Sequence, residues 1–301
     1  MLRLSVLLGL VGLALCGPPV ARTRQQIESF RNFLEESRTE NGIRLSERML
    51  AFPKASAWEN SGKFEGDILL DDWQVEGLVM NYATGRNAYI WPDTKWPEDT
   101  IVYEFGEGEF DDDQKEAILK SIEEIEENTC LKFRERLPDE FNYVRLTGAP
   151  DGCYANVGYW AERGPHVLNL ARNAPGRGCL NNTVIIHEWL HIIGFFHMQS
   201  TYNRDDYVRI MWENVQPGME HNFDHYDEEL VSNLGLPYEY NSCMHYGPYG
   251  FSTTGEPTIV AIREFEGIMG DMRRVSDYDW LRTRRHYNCP GAWSKTKYDL
   301  E

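Results

Sequence analysis

The chain has 301 residues, 42% of them hydrophobic, which is enough to bury a core in one large or two small domains. Its formal net charge is −18. So acidic a chain repels the phosphate backbone, and a nucleic-acid partner is not expected.

The N-terminus reads Met1-Leu2-Arg3, then an apolar stretch from Leu4 to Leu15, with small residues at Ala14, Cys16 and Gly17. That is the pattern of a secretory signal peptide over residues 1–16. The stretch covers 12 residues, whereas a spanning helix needs about 20. A soluble, secreted, extracellular product without a membrane partner is therefore expected, in a compartment where disulfides form. Without Cys16 the cysteines are Cys130, Cys153, Cys179, Cys243 and Cys289, an odd number, so at least one stays unpaired.

Residues 17–86 are rich in charge and show one helical pattern, around Ile27, Phe30, Phe33 and Leu34. They read as a pro-segment. It closes on Ala83-Thr84-Gly85-Arg86 before Asn87-Ala88, a small, polar, basic stretch open to a trypsin-like protease, although by composition alone it reads as an ordinary interdomain linker. The alternating run Thr100–Phe105 predicts a strand. Asp111-Asp112-Asp113 opens an amphipathic helix with Ala117, Ile118, Ile122 and Ile125 on its apolar face. Short apolar stretches at Leu131–Phe133, Tyr143–Leu146 and Val167–Leu170 predict further strands, and a mixed sheet with helices packed on it is the simplest assembly. Asn182-Thr183 caps a largely apolar helix that begins Val184-Ile185-Ile186-His187. Beyond Met198, frequent Pro and Gly predict irregular chain, until a last helix from Ser276 to about Tyr287 with a capping box to Asp279. No internal repeat is present.

The chemistry is concentrated in His187-Glu188-Trp189-Leu190-His191-Ile192-Ile193-Gly194-Phe195-Phe196-His197. His187 and His191 are four apart and share one helix face. A continuous helix would carry His197 to another face and about 9 Å along the axis. The chain must therefore break before it, and Gly194 can adopt the positive φ that ends a helix. Three imidazoles with one open position describe a catalytic zinc site for one Zn2+ per chain, with Glu188 as general base toward the water it holds.

With that run the sequence resembles the astacin family of metzincin metallopeptidases, from about Phe64 to Cys289. The resemblance implies an α+β fold of two lobes. The upper lobe, about 87–197, would hold a twisted mixed sheet and long helices, and the irregular lower lobe, about 198–301, a C-terminal helix. Ser242-Cys243-Met244-His245-Tyr246 looks like the family's Met-turn, which implies that Met244 floors the site and that Tyr246 is a tyrosine ligand that swings to the oxyanion. Phe64-Glu65-Gly66-Asp67 looks like the family's zymogen switch, with Asp67 in the place of the catalytic water, and Arg86-Asn87 is the implied activation cut. The resemblance also implies disulfides Cys130 with Cys289 and Cys153 with Cys179, leaving Cys243 a buried thiol. Two positions depart from the pattern. Met198 stands where a glutamate engages the mature N-terminus, and Thr201 where an arginine is usual, although Arg204-Asp205 matches again. A weak or different anchorage of Asn87 is expected. Asn181-Asn182-Thr183 is both a glycosylation acceptor pattern at Asn181 and a helix start.

The expected function is a secreted zinc endopeptidase made as a zymogen, monomeric, with protein or peptide substrates and a trypsin-like activator. The alternatives are a zinc-bound binding protein that is catalytically impaired, motivated by Met198 and Thr201, and a zinc hydrolase of small amides. Glu188 and Tyr246 argue against the first, since a structural zinc site needs neither a base nor an open position.

Overall fold

The structure is a computed structural model and describes residues 22–39, 43–84, 94–226, 228 and 231–294. The leader at 1–16 and the Arg86-Asn87 cut lie outside the described residues.

The sheet is assembled from β1 (Thr100–Phe105), β2 (Lys132–Glu135), β3 (Tyr143–Thr147), β4 (Cys153–Ala155) and β5 (Pro165–Leu170), in the order β2-β1-β3-β5-β4. The first four strands in that order run parallel, and β4 closes one edge antiparallel to β5, Cys153 opposite Leu170 and Ala155 opposite Leu168. Parallel neighbours need a long crossover, and the helix α1 (Asp112–Asn128) supplies it between β1 and β2. It begins where the sequence predicts, because Asp111 accepts from the Gln114 amide while the Gln114 side chain accepts from the Asp111 amide. Its Ile118, Ile122 and Ile125 are buried.

The helix α2 (Asn182–Ile193) is buried at every position from Thr183 onward, as expected of a helix apolar on all sides. Its cap is Asn181, one residue earlier than predicted, whose side chain accepts from the Thr183 amide. It ends at Gly194 with φ 120°, where the Gly194 amide reaches back to Leu190 and His191. One apolar core joins this helix, the sheet and the second half of the chain, with Ile101, Val144, Leu168, Ile185, Trp189, Cys243 and Met244 among its members.

Beyond Met198 the chain is irregular, made of short single turns, with one exception that the sequence did not predict. Val208–Ile210 (β6) pairs antiparallel with Ile259–Ala261 (β7). The last helix, α3 (Asp277–His286), starts from Ser276 through the predicted box with Asp279. Cys130 is bonded to Cys289 and Cys153 to Cys179, with Cα–Cα separations of 5.5 and 5.3 Å, and Cys243 is a buried free thiol. The second bridge spans 26 residues, and cross-linking such a loop stabilises by roughly 3–4 kcal/mol in the chain-entropy picture.

The N-terminal segment holds more helix than its sequence suggested. Besides Arg24–Arg38, capped by Thr23 and Gln26, there are helices at Leu45–Ala51 and Asp72–Thr84. The last begins with a reciprocal pair, Asp71 to the Gln74 amide and Gln74 to the Asp71 amide, a signal that the sequence carried and that a search for apolar periodicity passes over. Phe30, Leu34, Phe64, Ile68, Val75 and Leu78 form a second small core, which closes against Val157, Tyr226 and Val231 of the rest of the chain.

Candidate metal centre

The helix α2 presents His187 and His191 one turn apart, and the break at Gly194 lets Phe195 and Phe196 lead back so that His197 faces them. The ring centroids lie 4.8 Å (His187 and His191), 4.8 Å (His191 and His197) and 5.5 Å (His187 and His197) apart. The return is fixed by the Met198 amide, which donates to the Met244 carbonyl at 2.7 Å. All three imidazoles are fully buried.

Their outer nitrogens decide which way the lone pairs point. Nδ1 of His187 donates to the Cys243 carbonyl at 2.7 Å, Nδ1 of His191 to the Phe195 carbonyl at 2.7 Å, and Nδ1 of His197 to Glu65 Oε2 at 2.8 Å. Those partners only accept, so each Nδ1 carries the proton and each Nε2 turns a lone pair inward. There the lone pairs meet the Asp67 carboxylate, Oδ2 at 2.8 Å from His187 Nε2 and Oδ1 at 3.4 and 3.2 Å from the Nε2 atoms of His191 and His197. Nε2 of His191 and of His197 and Asp67 Oδ1 are buried without a hydrogen-bond partner. Three lone pairs and a carboxylate converging within 4.8 Å repel one another unless positive charge sits among them.

The imidazoles differ in their protonation tendencies. Burial pushes His187 down to about 4. Burial also acts to lower His197, but the Asp67 and Glu65 carboxylates outweigh it and lift the imidazole to about 9. Burial alone would raise Asp67, and the imidazoles around it pull it well below the usual carboxylate range. Three imidazole nitrogens and one carboxylate oxygen converging on one point fit a four-coordinate zinc ion.

Glu188 follows His187 and is fully buried with neither carboxylate oxygen hydrogen-bonded. Burial first, and then the Asp67 charge, push its pKa well above the usual range. Tyr246 is also fully buried, its ring 5.1 Å from His197 and its hydroxyl without a partner. Its backbone is held by Gln199 Oε1 on the amide and His245 Nδ1 on the carbonyl, and His245 is in turn held by the Tyr238 hydroxyl. The turn that carries Met244 is pinned by Asp279, which accepts from Ser242 Oγ and the Cys243 amide.

The N-terminal segment covers this centre. Ala155 of β4 donates its amide to the Asp67 carbonyl at 3.0 Å and accepts from the Leu69 amide at 2.8 Å, so the segment lies along the sheet edge. Trp58 stacks on His187 and His197 at 4.3 and 4.9 Å, and Glu59 accepts from the Gly247 amide at 2.8 Å. Glu65 holds a positive φ of 45° and takes the Tyr226 hydroxyl at 2.7 Å as well as His197. Sequence reasoning missed Trp58, Glu59 and Glu65. Only Glu65, two residues before Asp67, stood within a motif that could have signalled it.

Met198 is buried and lines a cavity of about 210 Å³ with Val231, Asp279 and Arg282. Thr201 donates to the Met198 carbonyl, and Arg204 pairs with Asp205. Asn181 serves as the helix cap already described.

These ligands and this sheet define a zinc metallopeptidase. Comparison with known proteins gives the family: the model of the astacin peptidase family matches residues 89–288. Zinc metalloproteinase nas-4 of Caenorhabditis elegans is 34% identical over 228 residues, covering 76% of this chain and 70% of that protein. Meprin A subunit beta of Mus musculus is 37% identical over 232 residues, and the match covers only 30% of its length. Of the solved structures, High choriolytic enzyme 1, a hatching enzyme zinc-protease from Oryzias latipes, is similar with a TM-score of 0.57 and 31% identity, over 66% of this chain and 94% of that one. The chain belongs to the astacin family of zinc metalloendopeptidases. Among the described residues no helix is long and apolar enough to cross a membrane.

Proposed function

We propose that the chain is a secreted endopeptidase made as a zymogen, with residues 17–86 its pro-segment and cleavage between Arg86 and Asn87 by a trypsin-like protease its activation. The observation that carries this reading is the Asp67 carboxylate lying against all three imidazoles, delivered by a segment paired with the edge of the sheet. A carboxylate there takes the place that an attacking water needs. The leader-like N-terminus and the two disulfides support export.

Zinc, when bound, supplies Lewis acidity that makes a water acidic enough to lose its proton near neutral pH. His187, His191 and His197 hold the ion, their Nδ1 partners fixing each ring. Glu188 takes the proton of the attacking water and returns it to the leaving amine. The Tyr246 hydroxyl donates to the oxyanion that forms on the substrate carbonyl. Met244 packs beneath the rings. Protein or peptide substrates lie along β4, where the pro-segment lies now.

The test uses the trypsin-trimmed protein and a denatured protein substrate. Cleavage that disappears with a zinc chelator and in Glu188→Ala supports the reading. A folded, trimmed, zinc-loaded protein that cuts nothing would instead favour a zinc-bound binding protein.

A further inference from the structure

The end of the β4 edge carries a second site that the zinc chemistry does not use. Asp151 is 3% exposed and lies two residues before the strand, and Tyr154 is on the strand itself. The Lys63 ammonium sits 3.7 Å from Asp151 Oδ2 and 4.6 Å above the Tyr154 ring, with both charged side chains 4% exposed. Asp151 Oδ1 is buried without a hydrogen-bond partner, so the acid is only half engaged.

The structure around the pair comes from the N-terminal segment. Arg48 Nη1 donates to the Asp151 carbonyl at 2.7 Å and to the Ser61 carbonyl at 2.9 Å. Ser61 Oγ accepts from the Cys153 amide at 2.8 Å, and a Cβ on Gly152 would lie 2.3 Å from the Ser61 side chain. The segment thus reaches the edge strand closely, and two cationic side chains, Lys63 and Arg48, are what it brings there.

We infer that Asp151 and Tyr154 form a substrate subsite for a basic side chain, lysine or arginine, which Lys63 fills in the intact chain. The inference rests on the reading that the segment leaves on activation. Removal of the segment uncovers a carboxylate whose burial was compensated by Lys63, beside an aromatic face suited to a cation. A peptide added to the same strand edge sets one of its side chains against that pair.

The test is a series of otherwise neutral peptides in which a single lysine replaces glutamine at each position in turn. Binding is measured to the trimmed Glu188→Ala chain with the trypsin inhibited, and cleavage to the trimmed chain that keeps Glu188. The expected result is one position at which lysine binds about tenfold tighter than glutamine, the ratio falling toward one in Asp151→Asn and in Tyr154→Leu. A flat series would overturn the inference. So would a lysine preference equal at all positions, which is the signature of the overall acidic charge, or a single-position preference that survives in both variants. The binding arm reads the subsite even if no peptide is cleaved, so failure of the peptidase reading and failure of the subsite give different results.

Discussion

At the scale of single residues, the proposed mechanism separates groups that hold the ion from groups that act on the substrate. Glu188 makes no hydrogen bond and has no structural work to do. Glu188→Gln should therefore leave zinc content and thermal midpoint nearly unchanged while lowering kcat by at least about 10²-fold, as steady-state kinetics and metal analysis would show. Glu65 is the reverse case. It orients His197 from behind at 2.8 Å, and carboxylates in that position are worth about 10- to 100-fold in metal affinity. In the intact chain Glu65→Gln should release zinc to a chromophoric chelator faster by a factor in that range, and an unchanged rate would show the contact to be incidental. The histidines, Glu188 and Gly194 were legible because their spacing admits few other geometries. Trp58 and Glu59 were not, since what makes them part of the site is contact across more than a hundred residues of sequence.

At the scale of elements, the break after α2 carries the most weight. Gly194 has φ 120°, and an added Cβ would meet His286 Nε2 at 3.1 Å. Gly194→Ala should cost on the order of 1–3 kcal/mol of stability and lower zinc occupancy, because His197 is positioned by that turn; full zinc content would contradict this. His166 on β5 offers a pH test away from the metal. Burial, reinforced by Arg163, pushes it down to about 3, and its Nε2 accepts from the Trp160 amide, which requires the neutral ring. The unfolded chain takes up that proton near pH 6.5 and the folded one only near 3, so stability is fully present above about 6.5 and drains away as pH falls through that window. Thermal melts from pH 7 to 4 should show a smaller drop in His166→Gln than in the parent chain. The start of α1 after Asp111 was read correctly, and α3, predicted from Ser276 to about Tyr287, runs Asp277–His286. β4, β6 and β7 have three residues each and offer no period to read, and they take their form from the partners they pair with.

At the scale of the whole molecule, part of the N-terminal segment packs as a second small core, and the segment meets the rest of the chain at the metal centre and along β4. The sequence carried its presence and, through the resemblance, pointed to Asp67, whereas the cover formed by Trp58, Glu59 and Glu65 depends on folding. The departures at Met198 and Thr201 belong to this scale too. Met198 offers no carboxylate to a new N-terminus, so adding one residue before Asn87 should change the activity of the trimmed chain little, and a steep loss would contradict a weak anchorage. The most direct test of the account compares the specific activity, on one denatured protein, of the zinc-loaded intact chain with that of the same preparation cut after Arg86. The account predicts that the intact chain is silent and that activity rises in proportion to the fraction cut; equal activity before and after the cut would contradict it.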